Sequence, residues 1–91
     1  RVADGAAVGP RGVLGRDCAV EAGAVVRGSV LHAGCTVGED ASVEGAIVAA
    51  GVEIGAGAIV SAGAVIGESA RIAPGTELEP DARVEPGGVT T

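Results

Sequence analysis

One histidine, two cysteines and a scatter of carboxylates are the side chains of this sequence best suited to chemistry. His32 is the one histidine, and a positioned imidazole could activate an acceptor hydroxyl or amine for acyl transfer. Cys18 and Cys35 lie seventeen residues apart. Two thiols and one distant imidazole fall short of the four ligands that a structural zinc site takes. Gly55-Ala56-Gly57 would suit a phosphate cradle only between a strand and a helix, and here it reads as turn chemistry. The acids Asp17, Asp40, Glu68 and Asp81 read as solvated corners, with no ligand constellation among them.

What positions these residues is a repeat. An aliphatic residue falls at Val2, Val8, Leu14, Val20, Val26, Leu31, Val37, Val43, Val48, Ile54, Val60, Ile66, Ile72, Leu78 and Val84. Every step is six residues except Val26 to Leu31 and Val43 to Val48, which are five. Neither an α-helix nor a simple strand has this period. A hexapeptide repeat is a signature of a parallel β-helix, a solenoid of stacked coils. The residue two before each aliphatic is small almost throughout, from Ala6 and Gly12 to Thr76 and Ala82. Strand alternation puts it on the inward side with the aliphatic, inside a narrow shaft. His32 directly follows inward Leu31, so it is expected at an outward corner.

Three residues after the aliphatic, in the thirteen full-length units, Gly occurs eight times and Asp three times, at Asp17, Asp40 and Asp81. That preference is what a corner needing positive φ selects, with Arg11 and Ser69 as exceptions. Pro10, Pro74, Pro80 and Pro86 each precede this position, and Ala73-Pro74-Gly75-Thr76 and Glu85-Pro86-Gly87-Gly88 fit type II turns. Three units make a triangular coil, so the chain should form about five coils with three inward ladders. The first face carries Val2, Val20, Val37, Ile54 and Ile72. The second carries Val8, Val26, Val43, Val60 and Leu78, and the third Leu14, Leu31, Val48, Ile66 and Val84. Cys18 and Cys35 should stack above one another as buried thiols, because adjacent strands rarely support disulfide geometry.

Residues 1–91 read as one domain. The chain has no aromatic residue and no Met, which an aliphatic shaft does not need. A net charge of −6 argues against nucleic acid, which wants a basic face. No apolar run approaches the roughly 20 residues of a membrane span. Six Arg without Lys, amid much Ala, Gly and Val, suggest GC-rich coding and a bacterial source. The sequence starts in mid-pattern at Arg1 with no capping segment before Val2, so it is expected to be the C-terminal piece of a longer protein. Reduced thiols fit a cytoplasmic setting.

The unit Ile54-Gly55-Ala56-Gly57-Ala58-Ile59 resembles the hexapeptide-repeat superfamily, whose fold is a single-stranded left-handed parallel β-helix. The resemblance supplies the hand; the general rule for parallel crossovers gives the opposite one. Within that superfamily, the shortened units around Ser29-Val30-Leu31 and Ala46-Ile47-Val48 resemble the C-terminal β-helix of sugar-phosphate nucleotidyltransferases. The segment from Glu77 to Gly87 is similar to the end of mannose-1-phosphate guanylyltransferase-type chains. The resemblance implies a non-catalytic module that positions, oligomerises or regulates a nucleotidyltransferase. Catalysis and Mg²⁺ would then belong to an N-terminal domain, and no catalytic, cofactor or metal residue carries over to this chain. A fragment of a hexapeptide acyltransferase, with His32 as base, is the alternative, and a purely structural or engineered scaffold is a third. A γ-class carbonic anhydrase would need three His.

The residues just before the aliphatics point outward. On the third face these are Val13, Val30, Ile47 and Val65, followed by Arg83. Four stacked β-branched residues form an apolar stripe, and a contiguous stripe suggests a partner surface. The expected partner is the missing catalytic domain or a second β-helix in a homo-oligomer.

Overall fold

A computed structural model describes residues 2, 3, 5–9 and 11–90. Its strands are numbered in chain order, and each is two or three residues long, because a corner follows every inward aliphatic. The first face stacks β3 (Ala19–Val20), β6 (Thr36–Val37), β9 (Glu53–Ile54) and β12 (Arg71–Ile72). The second face stacks β1 (Ala7–Val8), β4 (Val25–Arg27), β7 (Ser42–Glu44), β10 (Ile59–Val60) and β13 (Glu77–Leu78). The third stacks β2 (Val13–Leu14), β5 (Val30–Leu31), β8 (Ile47–Val48), β11 (Val65–Ile66) and β14 (Arg83–Val84). Every pairing is parallel and joins a strand to the third one after it. The architecture is the left-handed parallel β-helix, in about five coils.

The register carries the expected ladders rung by rung. Val20 pairs with Val37 and Val37 with Ile54; Val26 pairs with Val43; Leu31 pairs with Val48. Every inward aliphatic from Val20 to Ile72 is buried, as is every small inward residue from Cys18 to Ala70. Each such aliphatic contributes about 1.5–3 kcal/mol. The ladders do not stay dry to their ends. Val2 and Val8 are exposed by 46% and 36%, and Leu14, Leu78 and Val84 are half-buried. An end coil has a neighbour on one side only, so its shaft residues are covered from one side only.

All thirteen corner positions take positive φ, Arg11 (64°) and Ser69 (57°) included. The two shortened units reach the same conformation at Gly28 (58°) and Gly45 (60°). In the first of them Ser29 is fully buried; its hydroxyl donates to the Arg27 carbonyl (2.9 Å) and accepts from the Ala46 N–H (3.1 Å). The tight turns end as expected, with Thr76 N–H donating to Ala73 O (3.2 Å) and Gly88 N–H to Glu85 O (2.8 Å). Pro10 lies outside the described residues. A sixth rung starts on the first face, where Val89 bridges Arg71 and the Thr90 hydroxyl accepts from Ala73 N–H at 3.1 Å.

A second set of glycines works by close approach rather than by φ. A Cβ on Gly38 would sit 2.6 Å from Ala56 N, and one on Gly55 would sit 2.5 Å from Pro74 N. These residues directly follow the aliphatic, where one coil's backbone passes over the next. The recurrence of Gly at this place in the repeat was the available signal.

Candidate partner surface

The third face brings its outward residues into one column. Val13 pairs with Val30, Val30 with Ile47, Ile47 with Val65, and Val65 with Arg83. The four aliphatics are exposed by 53%, 37%, 52% and 41%. Alternation forces this arrangement: the inward neighbours Leu14, Leu31, Val48 and Ile66 take the shaft, leaving the preceding residue outside. Rungs spaced about 4.8 Å apart make the four-residue stripe about 15 Å long. The geometry gives an apolar strip along one face of the solenoid.

Backbone hydrogen bonds between coils fix the two edges of this face. Along the edge that follows the strands, Gly34 N–H donates to Arg16 O (2.8 Å), Gly51 N–H to Ala33 O (2.9 Å), Ser69 N–H to Ala50 O (2.9 Å) and Gly87 N–H to Glu68 O (2.7 Å). Along the edge that precedes them, Gly45 N–H donates to Arg27 O (2.9 Å) and Asp81 N–H to Ala62 O (3.0 Å). The charged side chains on these corners therefore stand at set heights beside the stripe.

His32 stands on the trailing edge, exposed. Its backbone is engaged, with the N–H donating to Val48 O (2.9 Å) and the carbonyl accepting from the Cys18 thiol (3.0 Å). Cys35 repeats that contact one coil on, donating to Ala49 O at 3.0 Å. Both cysteines remain buried thiols. Burial pushes the Cys35 thiol above its ordinary value; the Val52 backbone works against this and neighbouring Cys18 adds to it. Asp17, Asp40, Glu68 and Asp81 are exposed at separate corners. Among the described residues, no three His, Cys, Asp or Glu gather as a metal site. Among the same residues, no helix is long and apolar enough to cross a membrane.

The first face differs. Thr36, Glu53 and Arg71 replace aliphatics in its outward column, and Arg71 Nε stands 3.4 Å from Glu53 Oε2. Beside this pair runs a shallow groove of about 430 Å³, lined among others by Ala73, Pro74 and Thr90. Strand alternation places this polar column outside. The groove does not follow from the repeat, since its lining joins residues of successive coils with Val89 and Thr90 of the sixth rung.

Comparison with known proteins adds two observations. Residues 1–87 match the GMPPB C-terminal domain. Among solved structures, the acetyltransferase domain of PglB from Neisseria gonorrhoeae FA1090 superposes with a TM-score of 0.94 at 34% identity, over 97% of this chain. The same domain in complex with acetyl coenzyme A gives the same values. The chain spans 44% of that protein's length in both. No curated protein matches the chain in sequence.

Proposed function

The chain belongs to the GMPPB C-terminal domain family, and from that premise we propose that it is the non-catalytic β-helix module of a sugar-1-phosphate nucleotidyltransferase. Mannose-1-phosphate guanylyltransferase is the leading choice. The supporting observation is the family match along residues 1–87. In such a reaction a sugar phosphate oxygen attacks the α-phosphorus of a nucleoside triphosphate, and pyrophosphate leaves. That chemistry is assigned to an N-terminal catalytic domain in the parent protein. Mg²⁺ would neutralise the phosphates there; no residue of this chain is assigned to hold it. The module's role is to position and oligomerise that domain through the third face, in a cytoplasmic bacterial protein.

Two measurements on the parent protein test this. It should release pyrophosphate from GTP when given mannose 1-phosphate. The double substitution Val30→Lys with Ile47→Lys should lower the oligomer mass while each change shifts stability by no more than about 0.5 kcal/mol, since both positions are on the surface. No pyrophosphate release with any sugar phosphate, or an unchanged mass, would count against the reading.

The likeness to the PglB acetyltransferase domain favours a second reading, a fragment of a hexapeptide acyltransferase with His32 as general base. Acetyl transfer by the parent protein that is lost in His32→Ala would favour it over the first.

A further inference from the structure

The charges beside the apolar stripe are sorted along the coil axis. At the N-terminal end stand Arg11 and Arg27 on the leading edge and Arg16, beside the one acid Asp17, on the trailing edge, with His32 one rung on. At the C-terminal end stand Glu79 and Asp81 on the leading edge, and Glu68 and Glu85 on the trailing edge. All of these are exposed. We propose that the third face is the seam of a two-fold dimer of this chain, with the two coil axes antiparallel. The proposal rests on the module reading above and specifies its partner.

Symmetry limits the choices. A two-fold contact sets a patch against itself, so two simple face-to-face arrangements exist. With parallel axes, each rung meets the same rung of the partner with its edges exchanged. Arg11 would then meet the partner's Arg16 and Asp17, Arg27 the partner's His32, and Glu79 with Asp81 the partner's Glu85. At the C-terminal end the edges would set acid against acid, and such juxtaposition disfavours a pairing. With antiparallel axes, rungs reverse and edges are kept. Arg11 then meets Glu79 and Asp81 of the partner subunit, Arg16 with Asp17 meets the partner's Glu85, and His32 meets the partner's Glu68. Arg83, which ends the stripe, comes to the rung that holds Asp17. Two like-charge contacts remain. Glu44 faces the partner's Glu44 at the dyad, where Arg27 is the adjacent rung partner of Glu44 in each subunit, and Asp17, beside Arg16, faces the partner's Glu85. In the stripe, Val30 covers the partner's Val65, and Ile47 meets its own copy.

The size is adequate. A stable contact takes about 800 Å² from each partner, roughly a sixth of this chain's 4817 Å². One face of a three-sided solenoid supplies that.

Sedimentation of the 91-residue chain at low salt should give twice the 8.6 kDa monomer mass. Arg11→Glu with Arg16→Glu should weaken the dimer by about tenfold or more, and adding Glu79→Arg with Glu85→Arg to the same chain should restore it. Under mild oxidation, Val30→Cys chains mixed with Val65→Cys chains should form the mixed disulfide, whereas Val30→Cys alone should not link to itself. Wild type controls for Cys18 and Cys35. Self-linking of Val30→Cys, or no rescue by the charge exchange, would overturn the antiparallel seam. A monomeric 91-residue chain would overturn it too. In that case, loss of parent-protein assembly on Val30→Lys with Ile47→Lys would leave the module reading standing with the catalytic domain as partner. Failure of that second result would remove both.

Discussion

The first and third faces share one interior and present opposite exteriors. Behind each runs an unbroken aliphatic ladder, Val20 to Ile72 on the first and Leu31 to Ile66 on the third, buried in the same shaft. Outside, the first face shows Thr36, a Glu53–Arg71 pair and a groove, and the third shows Val13, Val30, Ile47 and Val65. The contrast separates two kinds of information in one hexad. Inward positions decide whether the coil forms. Outward positions are released from that duty and are where partner choice can be written.

The sharpest way to break this contrast is to charge the interior. Val37→Asp places an unpaired carboxylate where the side chain is fully buried, and should cost about 4–5 kcal/mol or more and unfold the middle coils. Both faces should fail together in a circular dichroism melt; loss confined to the first face would show that the two sheets are not one cooperative body. Gly55→Ala tests the closest approach between coils next to the groove. Its Cβ would sit 2.5 Å from Pro74 N and 2.8 Å from Ile72 O, so a cost of about 1–3 kcal/mol is expected in a denaturant titration.

Alkaline pH probes the interior without a mutation. Burial raises the Cys35 thiol above the ordinary 9.0, so the folded chain holds this proton more tightly than the unfolded one. The stability linked to Cys35 is full below pH 9.0 and is lost as pH rises through the higher folded value. Melting temperature should therefore fall across the alkaline range, and Cys35→Ala should flatten part of that fall. The smallest effect belongs to the exterior of the first face. Glu53→Gln removes an ion pair whose side chains are 68% and 60% exposed, and should change stability by less than about 1 kcal/mol. A larger loss would mean that the polar column helps to hold the coil, and the division between inward and outward positions would be less clean.

Much of the fold was legible in the sequence because a solenoid repeats one local problem. Spacing alone put Val20, Val37 and Ile54 in one ladder and Cys18 above Cys35, and it placed the third-face stripe residue by residue. Residue type was a weaker guide to the corners. Arg11 and Ser69 adopt the same positive φ as their glycine neighbours, because stacking on an adjacent coil imposes the turn whatever the side chain. The dry length of the shaft was overestimated at Val2 and Val8, since periodicity carries no information about how many coils cover a residue. The groove was not legible at all, as it arises between a corner and a rung distant in sequence. As for the site, the stripe could be found from its pattern, whereas the sorted charges along its edges acquire meaning only once the coils give each corner a height.

The two shortened units have a consequence for how such a chain can change over generations. Gly28 and Gly45 make their bends with one residue fewer, and the rungs on either side stay aligned with the full-length unit, with Val26 still over Val8 and Leu31 still over Leu14. A deletion at a bend is thus absorbed locally, like a dropped stitch at the edge of knitting, whereas the same loss within a strand would turn every later side chain inside out.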